Sequence, residues 1–224
     1  LENLPLLQLA SLFGIPAISF VIHLVPSLIA ARVSGRMARR EVTAVITIVL
    51  VVHAFGALRI GIGEGSGRDT VIAAAVGTNS AVTGLPLSTG DVLEAEKTAL
   101  FDRTARAAGA GASIVVWPEA AIGIAQEDEG NWQGELSHLA KQLQVELVAA
   151  YVVPISETPF RFENKYLWYK ANGKLDHTYY KHEPVPGEPA VRGTQPFEAA
   201  VTDFGIAGGA ICYDYDFPWI SRAH

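Results

Sequence analysis

Cysteine and charge are scarce in this sequence, and each scarcity excludes something. Among 224 residues there is one cysteine, Cys212, which excludes an intramolecular disulfide and a cysteine-rich metal site. No Asp, Glu, Lys or Arg occurs in residues 4–31 or in residues 42–58. Residues 70–224 carry 11 Lys and Arg against 19 Asp and Glu, so this part of the chain offers no basic face for nucleic acid.

The two uncharged runs are long enough for membrane helices. Residues 12–31 would extend about 30 Å as a helix, which matches the hydrocarbon thickness of a bilayer. The second run can continue to residue 60 because the long stem of Arg59 reaches the interface. We predict transmembrane helices at about 12–31 and 42–60, with Pro16 and Pro26 tolerated inside the first. Two buried helices of a soluble protein are the alternative.

A short basic loop separates the two runs. Its charged residues are Arg32, Arg36, Arg39, Arg40 and Glu41. By the positive-inside rule this loop faces the cytoplasm, so the chain after Ile62 lies on the outer side. We expect a membrane segment over residues 1–62, a Gly/Ser linker over 63–69 and an acidic catalytic domain over 70–224.

The acidic part alternates apolar strand patterns with helical patterns. Strand patterns cover residues 71–76, 113–117, 147–153, 166–170, 175–180 and 205–211, and helical patterns cover 91–109 and 132–144. Asp91 and Glu94 form a capping-box pattern at the first helix, and Pro154 is expected to end the third strand. Asn172-Gly173 is a strong hairpin signal. The order predicts an α/β domain with a mixed sheet.

Three residues with reactive side chains follow strand patterns: Glu119, Lys181 and Cys212. In α/β sheets, ligand sites gather beyond the carboxyl ends of strands, so these side chains can meet although they are distant in sequence. Each has an ordinary alternative: a solvated turn carboxylate, a surface lysine and a buried core cysteine. Glu188 could likewise be an ordinary loop charge.

At these positions the chain resembles the nitrilase, or carbon–nitrogen hydrolase, superfamily, whose catalytic set is Glu, Lys and Cys in that order. The matching stretches are Trp117-Pro118-Glu119-Ala120, Tyr180-Lys181-His182 with Val185-Pro186-Gly187-Glu188, and Ile211-Cys212-Tyr213-Asp214. The resemblance covers residues 71–224. It implies a nitrilase-like α-β-β-α sandwich, here preceded by two transmembrane helices.

Within the superfamily, the membrane runs and the basic loop make the chain similar to the apolipoprotein N-acyltransferases. These are enzymes of the bacterial cytoplasmic, or inner, membrane, with the catalytic domain on the periplasmic side. Two departures stand out: the loop before Glu188 lacks the family's usual phenylalanine, and Asp214 stands where a glutamate is usual. The resemblance also implies a fragment of a longer protein, with a catalytic domain that is incomplete at its C-terminus.

The resemblance implies a role for each residue. Cys212 attacks the acyl ester of a phospholipid donor, Glu119 is the general base, and Lys181 with the Tyr213 N–H stabilises the oxyanion. Glu188 orients Lys181 or assists the proton transfers, and Asp214 supports the loop. The acyl group passes through a thioester to the N-terminal amine of a diacylglyceryl-cysteine apolipoprotein. No metal or organic cofactor is implied, and we expect a monomer.

Two other functions remain open at this stage: a membrane-anchored amidase or nitrilase, in which water resolves the thioester, and an inactive relative that serves as a binding module. Four aromatic residues also have two interpretations, an acyl-chain path or the ordinary core: Trp132, Phe160, Phe162 and Trp168.

Overall fold

The computed structural model describes residues 3–35, 38–64, 70–78 and 87–223. The chain divides into two compact units, Leu1–Asp69 and Thr70–His224. Arg36 of the basic loop and residues 65–69 of the expected linker lie outside the described residues.

The N-terminal unit is helical. Its helices are α1 (Leu4–Leu7), α2 (Ala10–Phe13), α3 (Ile15–Val33) and α4 (Arg39–Glu64). Helices α3 and α4 are long and apolar enough to cross a membrane, and only 6% of each apolar window is buried. Gly14, with φ +70°, separates α2 from α3. Pro16 lies in the first turn of α3, where its missing N–H needs no partner, rather than deep inside the helix; Pro26 does lie inside it.

Helix α1 packs closely on α4 at a glycine. A side chain on Gly56 would meet the backbone of Pro5, since a Cβ built there lies 1.9 Å from the Pro5 carbonyl oxygen. Leu6, Leu9 and Val21 form a small buried apolar cluster beside this contact. The unit therefore has a local core although most of α3 and α4 is exposed.

The C-terminal unit contains seven strands and three α-helices within its described residues. In chain order they are β1 (Ala73–Ala75), α5 (Gly90–Gly109), β2 (Ile114–Val116), α6 (Glu129–Leu143), β3 (Glu146–Glu157), β4 (Phe160–Tyr169), β5 (Leu175–Tyr180), β6 (Ala200–Thr202), β7 (Gly205–Ala207) and α7 (Pro218–Ser221). One sheet has the order β1-β2-β3-β4-β5, and β6 pairs with β7. Strands β1, β2 and β3 are parallel, whereas β4 is antiparallel to β3 and β5. The predicted mixed sheet is confirmed.

The five-stranded sheet is covered on both faces. Alternate residues of its strands place apolar side chains on one face and then on the other, so both faces must be buried. Leu147 and Leu167 belong to the cluster that includes Leu100 of α5 and Leu136 of α6. On the opposite face, Val148, Tyr166 and Trp168 pack with Ala200 of β6 and with Ile211. Helices, sheet and the β6–β7 hairpin thus form three layers in the described part of the domain.

Three local predictions are wrong. Helix α5 begins at Gly90, and the residue before it, Thr89, makes no side-chain cap bond, so the Asp91–Glu94 capping box is absent. Strand β3 continues past Pro154, because the pairing is irregular between Pro154 and Ser156, and a bulge tolerates a missing N–H.

The last strand is also shorter than predicted. It ends at Ala207 rather than at Ile211, and a 3-10 helix follows over Cys212–Asp216. Gly208 and Gly209 offer no side chains to pack in a ladder, and the Ile211 N–H bonds to the Asp214 carboxylate instead.

Candidate active site

The sheet direction brings Glu119 and Lys181 to one edge. Strands β2 and β5 run in the same direction through two antiparallel pairings, so both carboxyl ends meet there. Glu119 lies three residues after β2, and Lys181 directly follows β5. The Lys181 Nζ donates to Glu119 Oε1 at 2.8 Å, and Glu119 and Cys212 line the same cavity. All three predicted catalytic residues therefore lie together.

Lys181 is a buried ammonium between two carboxylates. Its side chain is 1% exposed, and Nζ also donates to Glu188 Oε2 at 2.7 Å. An ammonium has three N–H donors. Two of them engage Glu119 and Glu188, and the third has no acceptor among the residues that the structure describes.

The shortened loop still delivers Glu188 to Lys181. The Glu188 N–H donates to the Val185 carbonyl at 2.8 Å, which closes a four-residue turn with Pro186 and Gly187 in its middle. Gly187 has φ +90°, as the third position of a type II turn requires. The Val185 N–H in turn donates to Glu188 Oε2 at 2.8 Å, so the turn holds the carboxylate in place without the phenylalanine.

Cys212 is exposed at the start of the 3-10 helix, which rules out the buried core cysteine. Its φ is +49°, and Ala120, the residue after Glu119, has φ +50°. Non-glycine residues rarely adopt this conformation, and such strain concentrates at functional sites. The backbone N–H of the next residue, Tyr213, acts to lower the pKa of the Cys212 thiol.

The charges around Cys212 favour a thiol beside a carboxylate. Partial burial raises the pKa of the Cys212 thiol, the Glu119 carboxylate raises it further, and Lys181 only partly offsets the rise. Burial opposes ionisation of Glu119, but Lys181 and then Asn164 outweigh it and lower the pKa of that carboxyl. At neutral pH the site therefore holds a protonated Cys212 thiol beside an ionised Glu119 carboxylate.

Asp214 connects the turn of Cys212 to the segment after Lys181. It is fully buried. Its carboxylate accepts hydrogen bonds from Ile211 N at 3.1 Å, Tyr179 Oη at 2.8 Å, His182 N at 3.1 Å and Glu183 N at 2.6 Å. The shorter aspartate arm thus reaches both segments of the site.

Sequence reasoning missed Asn164. This residue of β4 is 2% exposed, and its Nδ2 donates to Glu119 Oε1 at 2.7 Å and to Glu188 Oε1 at 3.3 Å. Its signal in the sequence is a polar residue at an inward position of a largely apolar strand. Such a residue requires a polar partner when buried, but the sequence does not say which one.

A cavity of about 310 Å³ adjoins the site. Cys212 and Glu119 contribute to its lining, together with apolar residues of β2, β3 and β4 that include Trp168. Trp132 instead stacks on Phe101 in the core on the other face of the sheet, with ring centroids 5.7 Å apart. Of these two tryptophans, Trp168 is the one beside the cysteine.

Comparisons with known proteins identify relatives of this chain. The chain is 24% identical to an apolipoprotein N-acyltransferase of Geobacter metallireducens. The alignment has 252 positions and includes the whole of this chain. It covers 47% of that protein, so it spans about half the length of the curated relative that it matches.

Solved structures of an amidase from Nesterenkonia are similar in fold. A mutant in complex with butyramide aligns with a TM-score of 0.51 at 22% identity, over 63% of this chain and 57% of the amidase. A second amidase structure gives 0.51 at 22% identity over 66% and 59%. The predicted nitrilase-like α/β fold is confirmed. Residues 72–224 match the family described as carbon-nitrogen hydrolase, and the chain therefore belongs to the carbon–nitrogen hydrolase family.

Proposed function

We propose that this chain belongs to an acyltransferase that moves an acyl chain from a phospholipid, through a thioester on Cys212, to the N-terminal amine of a diacylglyceryl-cysteine apolipoprotein. The observation that carries the proposal is the extent of the resemblance. The similarity to the Geobacter N-acyltransferase includes both apolar helices and covers the whole chain, whereas the two amidase structures cover 63% and 66% of it.

The first half-reaction uses the thiol and carboxylate as they stand at neutral pH. Cys212 Sγ attacks the ester carbonyl of the phospholipid while Glu119 takes the thiol proton. The third N–H of Lys181 and the Tyr213 N–H stabilise the oxyanion; one such donor is worth about 3 kcal/mol of the barrier. When the intermediate collapses, the C–O bond breaks and Glu119 protonates the departing lysophospholipid.

The second half-reaction repeats these steps with an amine. The N-terminal amine of the apolipoprotein attacks the thioester carbonyl, and Glu119 takes a proton from nitrogen. Collapse breaks the C–S bond, the proton returns to sulfur, and an amide leaves. Because one nucleophile serves both halves, ping-pong kinetics are expected.

The apolar helices support a lipid substrate. A site tethered at the bilayer surface meets lipid-anchored donors and acceptors at high effective concentration. The basic loop supports an orientation with the catalytic domain on the periplasmic side of the bacterial inner membrane. The apolar cavity beside Cys212 is compatible with the beginning of an acyl chain.

The alternative is a membrane-anchored amidase, which the similarity in fold to the Nesterenkonia amidase favours. The Glu–Lys–Cys arrangement would serve a hydrolase equally well, with water in place of the amine. The two functions differ in the acyl acceptor, not in the first half-reaction.

The test measures the intact mass of the protein in detergent after incubation with phospholipid. The proposal predicts an added acyl mass that hydroxylamine removes, that is absent from Cys212→Ala, and that transfers to a diacylated lipopeptide. Ammonia release from small amides without an acyl adduct would support the amidase. The absence of both signals would favour the inactive binding module.

A further inference from the structure

Asn164 lies at the centre of the charged cluster. It is 2% exposed, and its one amide nitrogen lies within hydrogen-bond distance of both carboxylates that flank Lys181. Its backbone carbonyl also accepts the Lys181 N–H at 2.8 Å. The residue therefore contacts Glu119, Glu188 and Lys181 from a strand in the interior of the sheet.

Chemistry decides the orientation of the amide. An ionised carboxylate only accepts hydrogen bonds, so the NH₂ group must face Glu119 and Glu188, and the reverse orientation would place Oδ1 against two negative charges. Among the described residues Oδ1 has no partner, although it is buried. A buried acceptor without a partner is unfavourable, so the contacts to the carboxylates decide how this side chain sits.

Two side chains donate hydrogen bonds to the same oxygen of Glu119. Lys181 and Asn164 both donate to Oε1, whereas among the described residues no such bond ends on Oε2. We propose that Asn164 is a positioning residue that holds Glu119 by Oε1, so that Oε2 faces the Cys212 thiol, and that keeps Glu188 on Lys181. Asn164 touches no reacting atom and acts through Glu119.

This role has a consequence for pH dependence. The charged and titratable groups around Glu119 are Lys181, Cys212 and, across Lys181, Glu188; Tyr166 and Tyr215 line the adjoining cavity. Without the Asn164 donor, only Lys181 and the Cys212 thiol oppose the effect of burial on Glu119. The pKa of Glu119 then rises, because a hydrogen bond to its charged form is lost.

The rate of Cys212 alkylation measures this change in the pKa of Glu119 without any substrate. Cys212 is the sole cysteine, so the mass added by iodoacetamide measures this thiol alone. As the pH falls through the lowered pKa of Glu119, below its ordinary value of 4.5, the rate should fall because Glu119 becomes protonated, and Glu119→Gln should abolish that acidic limb. The inference rests on the proposed role of Glu119 as the base. The alkylation assay needs no acyl donor or acceptor, so it still tests the inference if no acyl transfer is observed.

Two variants and one control test the residue. Asn164→Leu keeps the volume and removes the donor, and Asn164→Asp keeps the shape but donates only when protonated. We expect the acidic limb to move up by about one pH unit in Asn164→Leu and further in Asn164→Asp. Asn172→Asp, on the exposed hairpin turn, should leave it unchanged.

Either of two results overturns the inference. An unshifted limb in both Asn164 variants, with the limb abolished in Glu119→Gln, contradicts the positioning role alone. A limb that persists in Glu119→Gln contradicts the proposed base and the inference together. If Asn164→Leu does not unfold cooperatively, the isosteric Asn164→Asp decides the matter.

Discussion

Replacing Lys181 by methionine removes a buried positive charge and leaves the two carboxylates beside it. In the wild type, Nζ donates to Glu119 at 2.8 Å and to Glu188 at 2.7 Å, and the ammonium is almost fully buried. Breaking a buried ion pair by removing one partner costs about 3–5 kcal/mol of unfolding free energy. The low end is expected, because the Glu119 side chain is 29% exposed and the Glu188 side chain 17%, and solvent can screen the remaining charges.

The loss of unfolding free energy in Lys181→Met should depend on pH. The pKa of Glu119 in the folded protein is lowered from 4.5, so its contribution is present above that pH and is lost as the pH falls through the folded value. The pKa of Lys181 is raised from 10.5, so its contribution is present below that pH and is lost as the pH rises through the folded value. The difference between wild type and Lys181→Met should be largest between about pH 5 and pH 10 and shrink on both sides.

Urea unfolding in detergent, followed by tryptophan fluorescence, measures this difference, since all four tryptophans lie in residues 70–224. Lys174→Met, at an exposed position of the hairpin, is the matched control. The proposed oxyanion donor is lost too, so the acylation rate should fall by about 10²–10³. A loss below about 1 kcal/mol at pH 7, where 3–5 kcal/mol is expected, or a difference independent of pH, would refute this reasoning.

Three further substitutions test other parts of the domain by urea unfolding. Asp214→Ala leaves buried donors without an acceptor and should lower the free energy of unfolding by about 3 kcal/mol or more. Asp216→Ala, at an exposed position, should change stability little; equal effects would contradict the role of the buried carboxylate. Ala120→Gly relieves a φ of +50° and should stabilise the fold by up to about 1 kcal/mol; a loss of stability would show that this position is not strained. Leu136→Ala, at a fully buried position, should cost about 2–5 kcal/mol without changing the rate of Cys212 alkylation, and a loss under 1 kcal/mol would contradict tight packing on α6.

The sequence predicted the class of the fold and three candidate residues of the site. Apolar runs separated by helical periodicity predicted the mixed sheet, because each element must bury a face against another. Glu119, Lys181 and Cys212 could be selected because a polar reactive group after an apolar strand meets other strand ends in space. The two apolar helices could be predicted from the absence of charge over a bilayer's length.

Tertiary structure decided what depends on contacts between distant segments. The pairing of Asn164 with Glu119 and Glu188, and the four bonds to Asp214, join residues from separate strands and turns, and no local pattern encodes such partners. The strand predicted over residues 205–211 likewise ends at Ala207, because Asp214 offers the Ile211 N–H a partner outside any ladder. Local periodicity determines which elements form, whereas the partners of buried polar groups are set by which elements the fold brings together.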